Sequence, residues 1–440
     1  MNLLDIEAAG HRMHALATDL YPICRSITGE GVRSSFKRIA QEIPLKLSEI
    51  PSGTQVFDWT VPEEWNVRQA WIKDSQGREV VNFQNHNLHL VGYSTPIHET
   101  MTLADLKSHL FSLPDQPDLI PYRTSYYKKT WGFCLSHIQL EELLDDHYEV
   151  FIDSEHTEGS LTYGEYFLAG ETDEEVIISC HTCHPSLAND NLSGIAVGVE
   201  LAKHLASEPR RLSYRFIFAP ATIGAITWLA TNETQVSRIR HGLVLTCVGD
   251  SAPITYKTSR QGDACIDRAM QHVLKTSGVE FRVVDFHPYG YDERQFCSPG
   301  INLPVGCLMR SVHGTFPEYH TSADNLDFIQ CANLADTLAK AIEVLDVLEH
   351  NAIFVNLKPK CEPRLGKYGL YGGGGGQRVG EFDELALLWV LNQSDGANDL
   401  LTIAERSGIK FSKVRSAAEA LENAGLLQRQ SASSLSITTN

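Results

Sequence analysis

Apolar residues recur at helical spacing through LLDIEAAGHRMHALATDLYPI, and ICRSITGEGVRSSFKRIAQEI reads as a loop leading into a second helix. The chain is therefore expected to open with a helical hairpin. From about residue 46 to 135 the pattern changes to short alternating runs, TQVFDWTV, VRQAWIKDSQGREVVNF and LHLVGYS, parted by Pro, Asn and Asp-Ser-Gln-Gly turns. These runs predict a small β-rich module inserted after the helices. From about 147 strand and helix alternate: YEVFIDSE, GSLTYGEYFLAG and EEVIISC, then GIAVGVELAKHLAS, YRFIFAP, IGAITWLATN and GLVLTCV. Such alternation predicts an α/β domain with a mostly parallel sheet flanked by helices on both faces. NLPVGCLM and the long amphipathic stretch LADTLAKAIEVLDVLEHNA complete it.

Five consecutive glycines follow Tyr371, too costly in chain entropy for a regular element, and they read as a hinge. Beyond them DELALLWVLNQS, LLTIAERSG and FSKVRSAAEALENAGLL predict three helices and a hairpin, a C-terminal winged-helix domain. The expected organisation is a core of residues 1–45 plus 136–360, an inserted β-rich domain at 46–135, a Gly-rich linker at 361–379 and the winged helix at 380–440.

Composition narrows the partners. With 440 residues, 42% of them hydrophobic, the chain has the material for several folded domains. Lys and Arg total 37 against 55 Asp and Glu, a formal charge of -18 that repels phosphate backbones and anionic lipid. The third winged-helix segment offers Lys410, Lys413 and Arg415 beside Glu419 and Glu422, which is no continuous basic face. We therefore expect neither nucleic acid nor a membrane as a partner, and read the winged helix as a module for a protein partner or a second copy of the chain. No signal-like or membrane-spanning apolar run occurs, so the expected location is the cytoplasm. Ten scattered cysteines, mostly in apolar runs, read as free thiols.

Chemistry concentrates in EEVIISCHTCHPSLANDNLSGIAVGVELAKHL, which passes from a buried strand through a polar loop into a helix. Clefts of α/β sheets form at such strand ends. His181 and Asp190 offer imidazole and carboxylate there, and His320 in FPEYHTSADNLDFIQ is the best distant third ligand for a zinc that keeps one open position. His184, in the same Cys-His-Thr-Cys-His run, is a neighbour or replacement for His181. For a base and a substrate clamp, Asp292-Glu293-Arg294 joins two acids to a guanidinium before a Cys-Ser-Pro-Gly turn, and Glu165 and Glu318 are further candidate bases. Arg260 and Arg310, like Arg25, sit in polar turns where each could hold a substrate carboxylate or anchor a loop. Tyr122, Tyr126, Tyr127 and Trp131 read as packing between the inserted module and the cleft.

These stretches resemble the zinc aminopeptidase superfamily. The similarity is greater still to a bacterial group of aminopeptidase-like proteins linked to polysaccharide or specialised-metabolite biosynthesis, through EEWNVRQAW, IPYRTSYYKKTWGFCLS, LTYGE, CHPSLANDNLSG, DERQFCSPGINLPV and EYHTSADNLD. The resemblance implies an aminopeptidase-like core with His181, Asp190 and His320 as metal ligands. It also exposes departures. Cys183 stands where peptidases have an Asp that orients the first His. Ala221 and Thr222 stand where they carry a Glu pair for water activation and metal binding. Their next Asp ligand aligns near Thr246 or Cys247, with Asp250 following. One zinc per chain is expected rather than two.

The leading expectation is a metal-dependent amide hydrolase that acts through a zinc-bound water on a small peptide, aminoacyl or acylamino conjugate, with proteins and long peptides excluded. The alternative is a catalytically silent aminopeptidase-like scaffold or ligand-binding protein whose winged helix recruits a partner.

Overall fold

The computed structural model describes residues 3–370 and 383–430. The glycine run, on which the hinge expectation falls, and the last ten residues lie outside the described residues. The chain divides into two compact units, one of residues 1–262 and 282–339, the other of 263–281 and 340–440.

At the centre of the first unit four parallel strands, Ser213–Ala219, Glu175–His181, Ile239–Leu245 and Val305–Met309, lie side by side in that order. Glu175–His181 and Ser213–Ala219 are buried along their whole length, which is why VIISC and FIFA carry almost no polar side chains: helices cover both faces of a parallel sheet. Antiparallel strands extend this centre on both sides, Ser160–Leu168 and Lys46–Pro51 at one edge and Ile254–Lys257 at the other, with Phe281–Val284 lying beyond it. The eight-stranded sheet is thus mixed, parallel only where the crossover helices lie, rather than mostly parallel throughout.

A second, four-stranded sheet has the order Glu79–Asn82, Glu64–Lys73, His147–Thr157, Ile97–Thr102, with Ala70, Ile72, Val150 and Ile152 buried. Two strands fall outside the segment boundaries read from the sequence. Lys46–Pro51, read as part of the inserted module, pairs with the main sheet, and His147–Thr157, read as core, is the long middle strand of the module. Alternation reports a half-buried face but not which sheet that face belongs to.

In the second unit, helices Glu384–Gln393, Leu400–Ser407 and Phe411–Asn423 accompany a three-stranded sheet in which Ile353–Asn356 pairs with Asp395–Asp399 and Leu427–Arg429. This is the winged-helix arrangement, and one of its strands precedes the glycine run. All ten cysteines are free thiols, and no described helix is long and apolar enough to cross a membrane.

Candidate metal centre

Glu175–His181 ends at the carboxyl edge of the sheet and delivers His181 there; the chain then makes a tight loop through His184 and Asp190 before entering helix Gly194–Ser207. The residues around Asp190 explain why the loop holds its shape. Asn189 Nδ2 donates to Asp250 Oδ2 at 2.8 Å and its Oδ1 accepts from Gly249 N at 2.8 Å, while Asn191 Nδ2 donates to Leu245 O at 3.0 Å. Both asparagines thus tie the loop to the end of the neighbouring strand. Asp324 accepts from the backbone N–H of Asn189 at 2.5 Å and of Asp190 at 3.0 Å. A Cβ at Gly194 would stand 2.3 Å from Leu245 O, so the close approach requires glycine.

Asp190 is fully buried, and four groups converge on its carboxylate. On Oδ1 stand His181 Nε2 at 2.8 Å and His184 Nδ1 at 3.5 Å, themselves 3.1 Å apart. On Oδ2 stand His320 Nε2 at 3.0 Å and the Tyr291 hydroxyl, which donates at 2.5 Å and lies 2.6 Å from the Tyr319 hydroxyl. Burial alone would push the Asp190 carboxyl up, but the His184 and His181 imidazoles hold it well below the usual carboxylate range. Desolvation lowers His184 and His320 against the opposing pull of Asp190, which favours neutral imidazoles. A carboxylate held low beside imidazoles that burial lowers is the donor chemistry a metal ion selects.

The donor set fits a zinc ion. Ligands 2.0–2.1 Å from a tetrahedral metal stand about 3.4 Å from one another, and the His181, His184 and Asp190 atoms are separated by 2.8, 3.1 and 3.5 Å. Those three are the metal-capable cluster among the described residues, with His320 on the opposite carboxylate oxygen. Both histidines of the Cys-His-Thr-Cys-His run thus face the same oxygen. The Cys183 thiol, raised to about 12 by burial, contacts Ala221 O at 3.7 Å and stands outside the cluster.

The remaining sequence candidates lie elsewhere. Asp250 is occupied by Asn189, Ser311 and the Ala252 N–H, and serves as an anchor. Glu293 is buried, with Oε1 2.7 Å from Lys257 Nζ and Oε2 accepting from Tyr291 N at 3.1 Å, so it braces the turn that carries Tyr291 rather than standing free as a base. Asp292 is buried beneath the strand end, where Ser179 Oγ donates to it at 3.0 Å; burial raises it to about 7. Arg294 is half-buried with its Nε unpartnered. Glu165 is held by Arg215 at 2.8 Å and Trp228 Nε1 at 2.9 Å, an ion-pair network apart from the four donors. Arg310 donates to Ala252 O, Asn333 O, Thr337 and Asp336, and exposed Arg260 to Asn302, so both fasten loops. Buried Arg25 grips the His184 carbonyl at 3.0 and 3.2 Å, fixing the metal loop from behind.

Two residues the sequence reading did not single out complete the site, Tyr291 and Tyr319. Their ring faces lie against the ligands, Tyr291 on His181 with centroids 4.2 Å apart and Tyr319 on His320 at 3.9 Å. Adjacency to the Asp-Glu-Arg turn and to His320 was the available signal, but tyrosine is too common in cores for adjacency to mark it. Tyr122, read as packing, presents its edge to both His184 and His320 at about 5 Å, and its N–H donates to His320 O at 2.8 Å.

This mixed sheet flanked by helices is an aminopeptidase-like α/β fold, with the buried carboxylate cluster at the carboxyl end of its central strand. Residues 14–351 match the model of a domain of unknown function, DUF4910, and residues 352–429 match a winged helix-turn-helix; the chain belongs to the DUF4910 family. A Clostridium acetobutylicum protein named "Putative polysaccharide biosynthesis protein with aminopeptidase-like domain" is 52% identical over 419 residues, 95% of this chain and 96% of that one. The crystal structure of a "putative peptidase" from the same organism matches with a TM-score of 0.93 at 50% identity, covering 97% of this chain and 98% of that one. A zinc aminopeptidase from Bacillus subtilis matches with a TM-score of 0.56 at 12% identity over 76% of this chain and 93% of its own, a likeness of fold.

Proposed function

We propose that this chain is a metal-dependent, aminopeptidase-like amide hydrolase that holds one zinc ion and acts on a small peptide, aminoacyl or acylamino conjugate. The observation that carries the reading is the convergence of His181, His184 and His320 on the two oxygens of one fully buried carboxylate. His181, His184 and Asp190 would hold the ion, with His320 on the far side of the carboxylate. Zinc bound in such a site polarises an amide carbonyl and lowers the pKa of water towards neutrality.

The protein's own groups supply the rest. Burial raises the Tyr291 and Tyr319 phenols, so both are protonated near neutral pH and act as donors. Tyr291 commits its proton to Asp190, keeping the carboxylate oriented. Tyr319 lines a cavity of about 400 Å³ beside His320; because the Tyr291 proton goes to Asp190, the Tyr319 hydroxyl donates to the Tyr291 oxygen at 2.6 Å and presents its lone pairs to a substrate N–H. Glu293 and Lys257 hold the turn beneath Tyr291. A cavity of that size suits a small ligand, so proteins and long peptides are not expected substrates. The relative's name supports a biosynthetic setting.

A second reading is a silent scaffold. It is favoured by the methyl of Ala221 and the hydroxyl of Thr222, which can neither take a proton from water nor bind a cation strongly. Lys413 pairs with Asp383 and Arg415 with Asp346 in the winged-helix unit, which supports a protein partner over nucleic acid there. Elemental analysis of wild type and His320→Ala, with a scan of aminoacyl and N-acyl amides on both, separates the readings. One zinc per chain with amide turnover that falls together with metal retention in the variant supports the hydrolase; zinc without turnover, or no zinc, supports the scaffold.

A further inference from the structure

The cavity beside His320 is lined from the inserted module by Leu113, Pro121 and Arg123 and from the core by Phe316, Tyr319 and His320. Its lining mixes apolar side chains with the polar ends of Gln116, Tyr319 and His320, and the guanidinium of Arg123 is its one permanent charge. That arginine is rigidly placed. The preceding residue donates its N–H to His320 O at 2.8 Å, and the Arg123 carbonyl accepts from Gly92 N at 2.9 Å. Its guanidinium lies over the Phe111 ring, 4.6 Å from the centroid. Among the described residues no carboxylate stands within ion-pair distance of it, although the chain carries 55 acids and a formal charge of -18. An exposed arginine stacked on a ring keeps its fork turned outwards with part of its rotamer entropy already lost, which lowers the cost of receiving a planar anion.

We infer that Arg123 is a specificity-determining residue that receives a carboxylate of the substrate. Resting on the amide-hydrolase reading above, the substrate class narrows to N-acyl amino acids or short peptides with a free carboxylate near the scissile amide. The apolar side chain goes against Leu113, Pro121 and Phe316, and the carboxylate takes both prongs of the guanidinium. The inserted module thereby acts in recognition, because the segment that carries Arg123 is hydrogen-bonded to the loop that carries His320.

Calorimetric titration of the zinc-loaded full chain tests this with N-acetyl-L-leucine and N-acetyl-L-phenylalanine, their primary amides, and inorganic phosphate, on wild type, Arg123→Gln and Arg123→Lys. The acids are expected to bind about tenfold more tightly than the amides, or about 1.4 kcal/mol. Arg123→Gln should bring that ratio to near one, and Arg123→Lys should keep only part of it, since an ammonium lacks the fork. Equal binding of acid and amide, no binding of either acid at millimolar concentration, a preference that survives Arg123→Gln, or phosphate binding as tightly as the acids would each overturn the inference. The readout does not depend on turnover. A carboxylate preference without hydrolysis removes the hydrolase reading and leaves this site standing; hydrolysis without the preference does the reverse.

Discussion

The two oxygens of Asp190 face different worlds. Around Oδ1 the His181 side chain is fully buried and that of His184 is 9% exposed, whereas on Oδ2 the His320 side chain is 32% exposed and borders a cavity. The closed side comes from one stretch of ten residues, 181–190; the open side is assembled from the turn at Tyr291, the loop at Tyr319 and His320, and the inserted module. Under the proposed function the difference is a division of labour, with a locally built half that would hold the cation and a composite half that would meet substrate. Replacing the shared residue removes both halves at once. Asp190→Asn is expected to lower zinc content to a small fraction of one per chain, with amide turnover falling on the order of a thousandfold. Full zinc retention in that variant would break the comparison at its root.

Unequal effects of the flanking histidines sharpen it next. His181→Ala takes a ligand from the closed side and should weaken zinc affinity on the order of a thousandfold, while His320→Ala should weaken it by about 10–100-fold. Competition with a chromophoric chelator measures both, and equal losses would mean that the two oxygens share the ion evenly. Tyr291→Phe is a smaller step on the open side. Loss of the 2.5 Å hydrogen bond should lower affinity or turnover by about tenfold with the fold intact.

The closed half was legible in the sequence because its parts are consecutive: a buried strand, then His181, His184 and Asp190 in one polar loop, then a helix. His320 was legible through its resemblance to a known loop. Tyr291 and Tyr319 were not, since Tyr291 acts on Asp190, 101 positions away, and Tyr319 enters the site through Tyr291, 28 positions away. The acids at 165 and 293 were misleading for a related reason. A carboxylate in a motif looks alike whether it faces a cleft or a buried cation, and Arg215 and Lys257 claim these two in three dimensions. The segment boundaries suffered because alternating strands do not state their partners.

Behind the closed side Asp292 offers a stability test. Its folded pKa of about 7 lies above the unfolded value of about 3.9, so the native state binds the extra proton between those limits. Stability must then fall as pH rises through that window, by up to about 1.4 kcal/mol per unit, and level off above pH 7. Denaturant melts from pH 4.5 to 8 should show a flatter dependence for Asp292→Asn than for wild type. An unchanged slope would show that Asp292 ionises in the native state as readily as in the unfolded chain.

Glu165 supplies the smallest effect and the control. Its Oε1 pairs with Arg215, which keeps Glu175 at 2.7 Å as a second partner, and its Oε2 accepts from Trp228 Nε1. Glu165→Gln retains an oxygen for the indole and leaves the guanidinium one carboxylate, so the loss in stability should be about 1 kcal/mol. Zinc content and turnover should stay within about twofold of wild type, because Glu165 reaches neither oxygen of Asp190 and catalytic effects of general bases are on the order of 10²-fold or more. Turnover lost at full zinc content and unchanged melting temperature would return Glu165 to the role of base. The open side of Asp190 would then hold substrate without supplying the proton transfer, and the division of labour between the two oxygens would have to be redrawn.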